Sequence, residues 1–468
     1  MAAIITDQLK RQVIQDLFDD ITDSAGAKYY IGIGRSQTWN DSDVAPTPIN
    51  SEREERNFRL NMQSMKRVAD YSFVVPRYNW SSGTTYSQYN DNISGYPLNP
   101  YYVITEANSV YICIKQARNS AGVAQVSTVE PTGVLTTPFT TSDGYTWKFL
   151  YNINTLDASK FLSANYMPVQ FVGKLDSDGG GSITSAASYI EQKGVQNAAV
   201  AGGLANITIT SGGAGYDPAD PPSIVIRGDG KHAQASATIQ SGVITNIEFN
   251  DSTDGVPLLG NDYNFAEVVF SGGGAPTTEA AARPVLAPIG GFGADPRNDL
   301  RSTAIMFNVK PEGEEDGEFV VGGAFRQIGI IRNPEIPDSD ALYTAISGNA
   351  LRRLQLAGSG GPGLNIVVGS TITGQTSNAK GIVDKVDSDE VWYHQTETTG
   401  FLQFQEAETI SDGANTAQVQ LVATDADSDA YVEGAVDPFS GKILYIENRA
   451  KVDRSTTQTE DIKLIIQI

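Results

Sequence analysis

Hydrophobic and polar residues alternate along the last stretch of the chain, SGKILYIENRAKVDRSTTQTEDIKLIIQI. Ile462, Leu464 and Ile466 share one side of a period of two, which predicts a strand with one buried face. The earlier run Ile443 to Ile446 is apolar on both sides, as is typical of a strand near the middle of a sheet. We therefore predict a closing hairpin from 440 to 468, with the final residue held in a sheet.

The beginning of the chain has helical periodicity instead. Thr6 is a candidate N-cap for a first helix, and a second helix is predicted from about 52 to 69. The apolar positions assigned to the inner sides of these helices are Leu9, Val13, Ile14, Leu17, Phe18 and Ile21 in the first and Phe58, Met62, Met65 and Val68 or Ala69 in the second. Strands are predicted at Tyr29 to Ile33, Phe73 to Val75, Tyr101 to Thr105, Val110 to Ile114 and within Ser142 to Ile153.

Two later regions contain short strands separated by glycines and other turn residues. The first runs from Asn206 to about Gly274, after a linker-like segment at Lys174 to Ser182, and the second follows Gly358. We predict a mainly β fold: a β-sandwich-like host domain with two short N-terminal helices and two inserted small all-β modules. The predicted segments are 1–175 (host), 176–290 (glycine-rich module), 291–357 (host), 358–425 (second module) and 426–468 (host, closing hairpin).

Composition limits the classes of partner. The formal net charge of −22 argues against nucleic acid or an anionic membrane, because both need a basic protein surface. The single cysteine, Cys113, lies in an apolar run and is predicted to be buried. No apolar stretch reaches the length of a membrane span, and the first residues lack a signal-peptide core. We expect a protein made and kept in a cytosol-like compartment, with no membrane partner.

Candidate chemistry is sparse. The two histidines, His232 and His394, lie near no nucleophile elbow and are interpreted as structural. The acidic loop from Pro311 to Phe319 has the composition of a solvated turn rather than of a glycosidase carboxyl pair. DADSDA, Asp425 to Ala430, has the start of a calcium-loop spacing but lacks its glycine and closing glutamate, and DSDGGG at Asp176 to Gly181 matches less well. We predict no catalytic residue, cofactor or metal site.

Two tryptophans each follow an arginine: Arg35 with Trp39, and Arg77 with Trp80. Tryptophan and arginine dominate the energetic centres of protein interfaces, so these four residues are candidate interface anchors. The alternative interpretation is that both tryptophans belong to the core.

Several segments of the predicted host domain resemble a known family. They are GRSQTW, PRYNW, SDGYTWKFLYNI, FRQIGIIRNP and, at the end, SGKILYIENR with TEDIKLIIQI. In this order they resemble the baseplate wedge protein of T-even-type contractile-tailed bacteriophages, the eighth gene product family. The resemblance covers about 1–172, 301–334 and 431–468. It adds Phe325, Arg326, Asn448 and Arg449 to the candidate interface residues.

The resemblance implies a structural subunit of the virion tail baseplate that is assembled in the host cytoplasm. It implies a second copy in each wedge, contacts with other wedge proteins, and no catalytic residue. The two predicted modules look like additions to the family's short form. One alternative is a tail-associated carbohydrate-binding protein that stacks sugars on the tract Ser81 to Tyr102 and on Trp392-Tyr393. Another is a glycan-cleaving enzyme with a carboxyl pair in a cleft.

Overall fold

A computed structural model of the chain describes residues 3–23, 26–93, 95–96, 99–172, 187–253, 256–315, 318–358, 361–421, 431–455 and 457–468. Strands account for 39% and helices for 12% of the fold. This confirms the prediction of a mainly β protein. The described residues divide into two compact units, one formed by Met1–Ile14, Ser72–Met306 and Ile465–Ile468, the other by Gln15–Tyr71 and Phe307–Leu464.

The helices are more numerous than predicted. They are α1 Asp7–Thr22, α2 Glu52–Asn61, α3 Thr155–Phe161, α4 Ala187–Asn197 and α5 Pro296–Asp299, with a 3-10 turn at Pro362–Asn365. Thr6 caps α1 as predicted, because its Oγ1 accepts a hydrogen bond from the Leu9 N–H at 3.3 Å. The predicted apolar stripe is only partly right: Ile14 and Phe18 are buried, but Leu9 and Val13 are 55% and 46% exposed.

The strands follow in chain order. Those of the first third are β1 Tyr29–Gly34, β2 Met62–Arg67, β3 Asp70–Pro76, β4 Tyr102–Ile104, β5 Ser109–Lys115, β6 Phe139–Thr140, β7 Thr146–Asn152 and β8 Tyr166–Val169. The middle of the chain contains β9 Leu204–Ser211, β10 Ser223–Gly228, β11 Lys231–Ala233, β12 Ala235–Gln240, β13 Val243–Phe249, β14 Leu259–Asn261, β15 Ala266–Ser271 and β16 Ala281–Leu286. The remainder are β17 Ala304–Val309, β18 Ala324–Arg332, β19 Ser347–Asn349, β20 Arg352–Ala357, β21 Thr371–Gly374, β22 Lys380–Val386, β23 Glu390–His394, β24 Thr409–Ser411, β25 Thr416–Val419, β26 Tyr431–Val432, β27 Lys442–Asp453 and β28 Ile462–Gln467.

The second predicted helix is wrong over its later half. Helix α2 begins after Ser51, whose side chain accepts from the Glu54 N–H, and ends at Asn61; Met62 then starts β2. The spacing of Phe58, Met62 and Met65 fits one face of a helix. Strand β2 lies between β1 and β19, and its first four residues are buried. A strand that is buried on both faces does not alternate between apolar and polar residues, so the sequence there does not indicate a strand.

The second unit contains a five-stranded sheet in the order β19-β2-β1-β18-β27, with antiparallel pairing throughout. All six residues of β1 are buried at its centre. Phe58 of α2 covers one face of this sheet, above Gly32 and Gly329. Tyr30, Met62, Met65, Ile331 and Tyr343 join Phe58 in a common core.

The predicted closing hairpin is not formed. Strand β27 lies at the edge of the five-stranded sheet beside β18, whereas β28 belongs to the four-stranded sheet β28-β17-β3-β8. The connection between them is held by Arg454, which donates hydrogen bonds to Glu460 and to the carbonyl oxygens of Val320 and Gly313. Because this buried arginine anchors the connection, the chain does not turn back onto β27. The position of β27 at a sheet edge also corrects the expectation of a central strand.

The end of the chain is nevertheless held in a sheet, as predicted. Strand β28 pairs in the four-stranded sheet, and the Ile468 N–H donates to the carbonyl oxygen of Thr303 at 3.1 Å. In the first unit, Ile465 packs against a core that contains Val74, Phe161 and Met306.

The second unit also contains a closed β-sheet. Six strands follow one another as β23-β22-β21-β24-β25-β20, and an additional pairing of β20 with β23 completes the ring. The interior is apolar and includes Ile372, Val383, Val391, Ile410 and Val419. The strands predicted after Gly358 are therefore confirmed, but the ring also needs β20, which precedes the predicted start of the second module.

The first unit contains the sheet β4-β5-β7-β6 and the glycine-rich region. The sheet surrounds an aromatic core of Tyr86, Tyr111, Tyr145, Trp147 and Phe149, and Cys113 is buried there as predicted.

The predicted strands of the glycine-rich region are confirmed as β9, β10, β12, β13 and β15, which pair in two-stranded sheets around Ile207, Tyr216 and Ile244. The predicted linker at 174–182 lies outside the described residues, as do the two calcium-like sequences. The five predicted segment boundaries stay predictions.

Candidate functional site

Six of the eight candidate interface residues lie together in the second unit. Arg35 and Trp39 follow β1, Phe325 and Arg326 lie on β18, and Asn448 and Arg449 lie on β27. These segments are far apart in the sequence but adjacent in the five-stranded sheet, in the order β1-β18-β27. We call the segment 35–46 and its contacts with β18 and β27 the loop clamp.

Arg77 and Trp80 are located elsewhere, in the first unit. Arg77 donates hydrogen bonds to the side-chain oxygen of Asn79 at 2.8 Å and to the carbonyl oxygen of Ser163 at 2.9 Å. Trp80 is half-buried against the aromatic core, and its indole N–H donates to Ser127 Oγ at 3.2 Å. Both side chains therefore have internal structural contacts.

The centre of the loop clamp is the ion pair of Arg326 with Asp43. The guanidinium donates from Nε to Oδ1 at 2.7 Å and from Nη2 to Oδ2 at 2.7 Å, and its Nη1 donates to the Ser36 carbonyl oxygen at 2.5 Å. The Arg326 side chain is only 4% exposed. The hydrogen bonds from Arg326 lower the pKa of Asp43. A bidentate arginine of this kind fixes both the position and the orientation of the loop.

Trp39 connects the loop to the edge strand. Its backbone N–H donates to Asp43 Oδ1 at 3.1 Å, and its indole N–H donates to the carbonyl oxygen of Arg449 at 3.0 Å. The register between β18 and β27 is irregular from Asn448 to Val452, which leaves the Arg449 carbonyl available. The guanidinium carbon of Arg35 lies 4.0 Å from the centre of the Trp39 ring, a cation–π contact.

Arg35 has an unusual backbone and electrostatic environment. Its φ is 64°, in the left-handed region, and its N–H donates to the Asn61 carbonyl oxygen at 2.9 Å. The pKa of Arg35 is lowered, mainly because the side chain is buried and to a smaller extent because the positive charge of Arg326 repels it. Asn448 completes the loop clamp, because its side chain accepts from Gln327 at 2.8 Å and donates to the Pro46 carbonyl oxygen at 3.1 Å.

A second arginine holds the other end of β27. Arg59 of α2 donates to the carbonyl oxygens of Pro438 at 2.8 Å, Ser440 at 2.5 Å and Gly441 at 2.9 Å. The segment 442–447 lies between this anchor and the loop clamp, on the outer side of the sheet. Leu444 in it is 52% exposed. The result is a strand edge that is fixed at both ends and carries an exposed apolar side chain.

The histidines have different environments. His394, on β23, is 5% exposed; its Nδ1 hydrogen-bonds to Asp384 Oδ2 and its Nε2 lies 2.7 Å from the Gln37 amide nitrogen. Asp384 also accepts from Gln63 at 2.8 Å. Both ring nitrogens thus have partners, in agreement with a structural interpretation. His232 lies on the short strand β11, where it is exposed and has a φ of 70°.

The acidic loop departs from the expectation of a fully solvated turn. Glu315 accepts a hydrogen bond from Lys66 Nζ at 2.5 Å, and both side chains are more than four-fifths buried. Burial alone would raise the pKa of Glu315, but the Lys66 ammonium together with hydrogen bonds from the Glu312 backbone and Ser347 outweighs burial, and the pKa is lowered. In the part of the chain that the structure describes, no group of three or more His, Cys, Asp or Glu side chains is placed to hold a metal ion. No helix among these residues has the length and apolar character needed to cross a membrane.

Several residues of the site were not found by sequence reasoning. Asp43 and Arg59 carry no motif of their own, and neither was a candidate. The signal available for Asp43 is local, since it follows Trp39 by four residues and accepts its N–H.

Comparison with known proteins does not assign a family. No family model matches the chain, and no curated protein matches it. The interpretation of the site therefore depends on its geometry and on the sequence segments described above.

Proposed function

We propose that this protein is a structural subunit of the baseplate wedge of a contractile phage tail, and that it acts by protein–protein assembly and takes part in the conformational change on host attachment. The observation that carries the proposal is that three of the segments that resemble the baseplate wedge family lie side by side in one sheet. GRSQTW, FRQIGIIRNP and SGKILYIENR come from the beginning, middle and end of the sequence. They lie on or directly after adjacent strands β1, β18 and β27. A shared local architecture gives a physical reason for these segments to occur together.

The loop clamp supports an assembly role through rigidity. Arg326, Asp43 and Trp39 tie the loop to two strands, and Arg59 ties the start of β27 to α2. A surface that is ordered before binding loses less conformational entropy when a partner docks. The net charge of −22 adds general repulsion between molecules, so that association depends on fitted apolar contacts.

We assign the contact with a second copy of the chain to the segment 442–447 of β27. Edge strands expose backbone groups to neighbouring chains, and Leu444 adds an exposed apolar side chain. A lysine at such an edge opposes association because its ammonium must stay hydrated.

The experiment measures the mass of the purified chain by mass photometry, alone and after co-expression with the other wedge proteins of the same phage. We expect a dimer that joins a wedge subcomplex. Leu444→Lys is expected to lower the dimer fraction, and Leu402→Lys, at a 59% exposed leucine of the closed β-sheet region, serves as the matched control. A monomer that associates with none of the wedge proteins would contradict the proposal.

The carbohydrate-binding alternative gains no specific support from the aromatic residues on which it was based. Tyr86, Tyr89, Tyr101 and Tyr102 are at most 6% exposed, and Tyr393 is 1% exposed. Sugars stack on accessible ring faces, which these five tyrosines do not offer. Trp392 is half-buried, and its indole N–H donates to Glu390.

A further inference from the structure

A cavity of about 260 Å³ lies in the first unit, between the strand β7 and the glycine-rich region. Its walls come from residues 136–138 and 256–261 and from Ala198, Val200, Gly203, Leu204, Ala287 and Phe292, with the basic side chains of Lys148 and His232. Most of this lining is apolar, including Val200, Leu204 and Leu258. The volume is slightly below the usual range of small-molecule sites, so it suits a ligand of about ten non-hydrogen atoms.

One cation lines this apolar cavity. The Lys148 side chain is 3% exposed, and its Nζ donates a hydrogen bond to the carbonyl oxygen of Thr136. No other hydrogen bond from this ammonium group is found among the described residues, although an ammonium has three N–H donors. Burial lowers the pKa of Lys148 to about 8, which keeps the group largely charged at neutral pH.

The acidic group Asp299 interacts electrostatically with Lys148, but no hydrogen bond joins the two side chains within the described structure. Asp299 is fully buried, and burial raises the pKa of its carboxyl well above the ordinary value. One carboxyl oxygen accepts from the Gly293 N–H at 2.9 Å, and the other has no hydrogen-bond partner within the described structure. No carboxylate is hydrogen-bonded to the Lys148 ammonium among the described residues, so its remaining N–H donors can reach an anion from outside the chain.

A second unused polar atom lines the same cavity. The side-chain oxygen of Asn261 is buried and has no hydrogen-bond partner among the described residues. A buried acceptor of this kind costs free energy until a donor reaches it. The cavity therefore presents the Lys148 cation and a free acceptor on largely apolar walls, with His232 as a further polar lining residue.

We propose that this cavity binds a small carboxylic acid with an apolar body, whose carboxylate accepts hydrogen bonds from Lys148 Nζ. A hydroxyl or amino group on the same ligand would donate to Asn261 Oδ1. One buried lysine on largely apolar walls suits a monoanion with an apolar body. The proposal is independent of the role in a baseplate.

The test uses the full chain with 3-phenylpropionate as probe and 3-phenylpropionamide as its uncharged counterpart. Binding is measured by titration calorimetry and by ligand-observed NMR. We expect the wild type to bind the acid at least about tenfold more tightly than the amide, because only the acid forms a charge-assisted hydrogen bond. Equal affinity for the two probes, or absence of saturable binding of the acid, would overturn the proposal.

Three variants distinguish binding of the acid in the cavity from nonspecific binding at the protein surface. Lys148→Met keeps the length of the side chain but removes the charge, and is expected to weaken binding of the acid about tenfold while leaving the amide unchanged. Lys115→Met, at a lysine whose Nζ pairs with Glu248, is the matched control and should bind like the wild type. Val256→Trp, at a 40% exposed lining residue, is expected to obstruct the cavity and remove binding. Unchanged affinity in both Lys148→Met and Val256→Trp contradicts the assignment.

Discussion

At the level of single residues, the loop clamp depends on residues that each form hydrogen bonds with more than one partner. Asp43 accepts from both the Arg326 guanidinium and the Trp39 backbone, and Trp39 donates in turn to the Arg449 carbonyl. The segment 35–46 has no regular secondary structure of its own that would fix it. Its position therefore depends on these contacts, and removing one of them should loosen the segment as a whole.

Arg326→Lys is expected to free the segment 35–46. A lysine cannot form the two parallel hydrogen bonds that the guanidinium makes with Asp43. Hydrogen exchange followed by mass spectrometry should show about tenfold faster exchange in residues 36–46, with little change in the closed β-sheet. Arg53→Lys, at a side chain that is 73% exposed, is the control and should not alter this exchange. Unchanged exchange in Arg326→Lys would show that the ion pair does not hold the loop.

Asp299→Asn is expected to stabilise the first unit more at pH 7 than at pH 4. Burial raises the folded-state pKa of Asp299, so the unfolded chain ionises this group at lower pH than the folded chain does. Stability is therefore lost as the pH rises above about 4, and an amide does not incur this loss. Thermal unfolding at the two pH values measures the difference. A larger gain at pH 4 than at pH 7 would mean that Asp299 is ionised in the fold.

Much of the residue-level chemistry could not be predicted from the sequence. The burial of Cys113 follows from its apolar neighbours, and Arg35 and Trp39 were identified from their residue types. The partners Asp43 and Arg59 depend on long-range contacts that no local pattern reports. One feature of the sequence distinguishes Lys148: it is the only charged residue of β7, Thr146–Asn152.

At the scale of elements, strand predictions succeeded both for strands with a polar face and for the fully buried β1, and failed at β2. The glycine-bounded strands β10, β12 and β13 were identified from their alternation. Strand β2 is buried on both sides, and its methionines fit a helical spacing equally well. The end of α2 at Asn61 is a consequence of pairing with β1 and β19, which only the sheet reveals.

Gly329→Ala tests the contact between α2 and the sheet. A Cβ added at Gly329 would lie 2.5 Å from the Phe58 ring, well inside contact distance. We expect a loss of about 1–3 kcal/mol in the free energy of unfolding of the second unit, as for other overpacked cores. Chemical denaturation measures it, and adding Phe58→Leu should restore part of the loss. Gly203→Ala, whose added Cβ meets only ordinary contacts at 3.5 Å or more, is the control. If Gly329→Ala is neutral, Phe58 does not fix the spacing.

The closed β-sheet predicts which fragment can fold. Strand β20 pairs with both β23 and β25, so the ring is incomplete without it. A fragment of residues 351–421 is expected to give a dispersed amide NMR spectrum. A fragment of residues 361–421 should give the narrow spectrum of an unfolded chain. If the shorter fragment folds as well as the longer one, β20 does not belong to the module.

At the scale of the whole molecule, the sequence indicated the β-rich class and the return of the chain to its first sheet. Strand β27 does reach the sheet that contains β1, and β28 holds the end of the chain in another sheet. The hairpin expected between them does not form, because Arg454 anchors the connection to Glu460 and to backbone carbonyls. Glu460 is six positions from Arg454, but the carbonyl groups of Val320 and Gly313 are more than a hundred positions away, and local patterns cannot report such contacts.

We propose that the whole molecule acts in the tail baseplate. An electron cryo-microscopy map of a virion of the proposed phage source tests the central claim most directly. We expect density in the tail baseplate that fits the five-stranded sheet and the closed β-sheet, present in two copies in each wedge, with β27 facing the second copy. A baseplate without such density, or density for this chain only in a fibre or outside the tail, would contradict the assignment to the baseplate wedge.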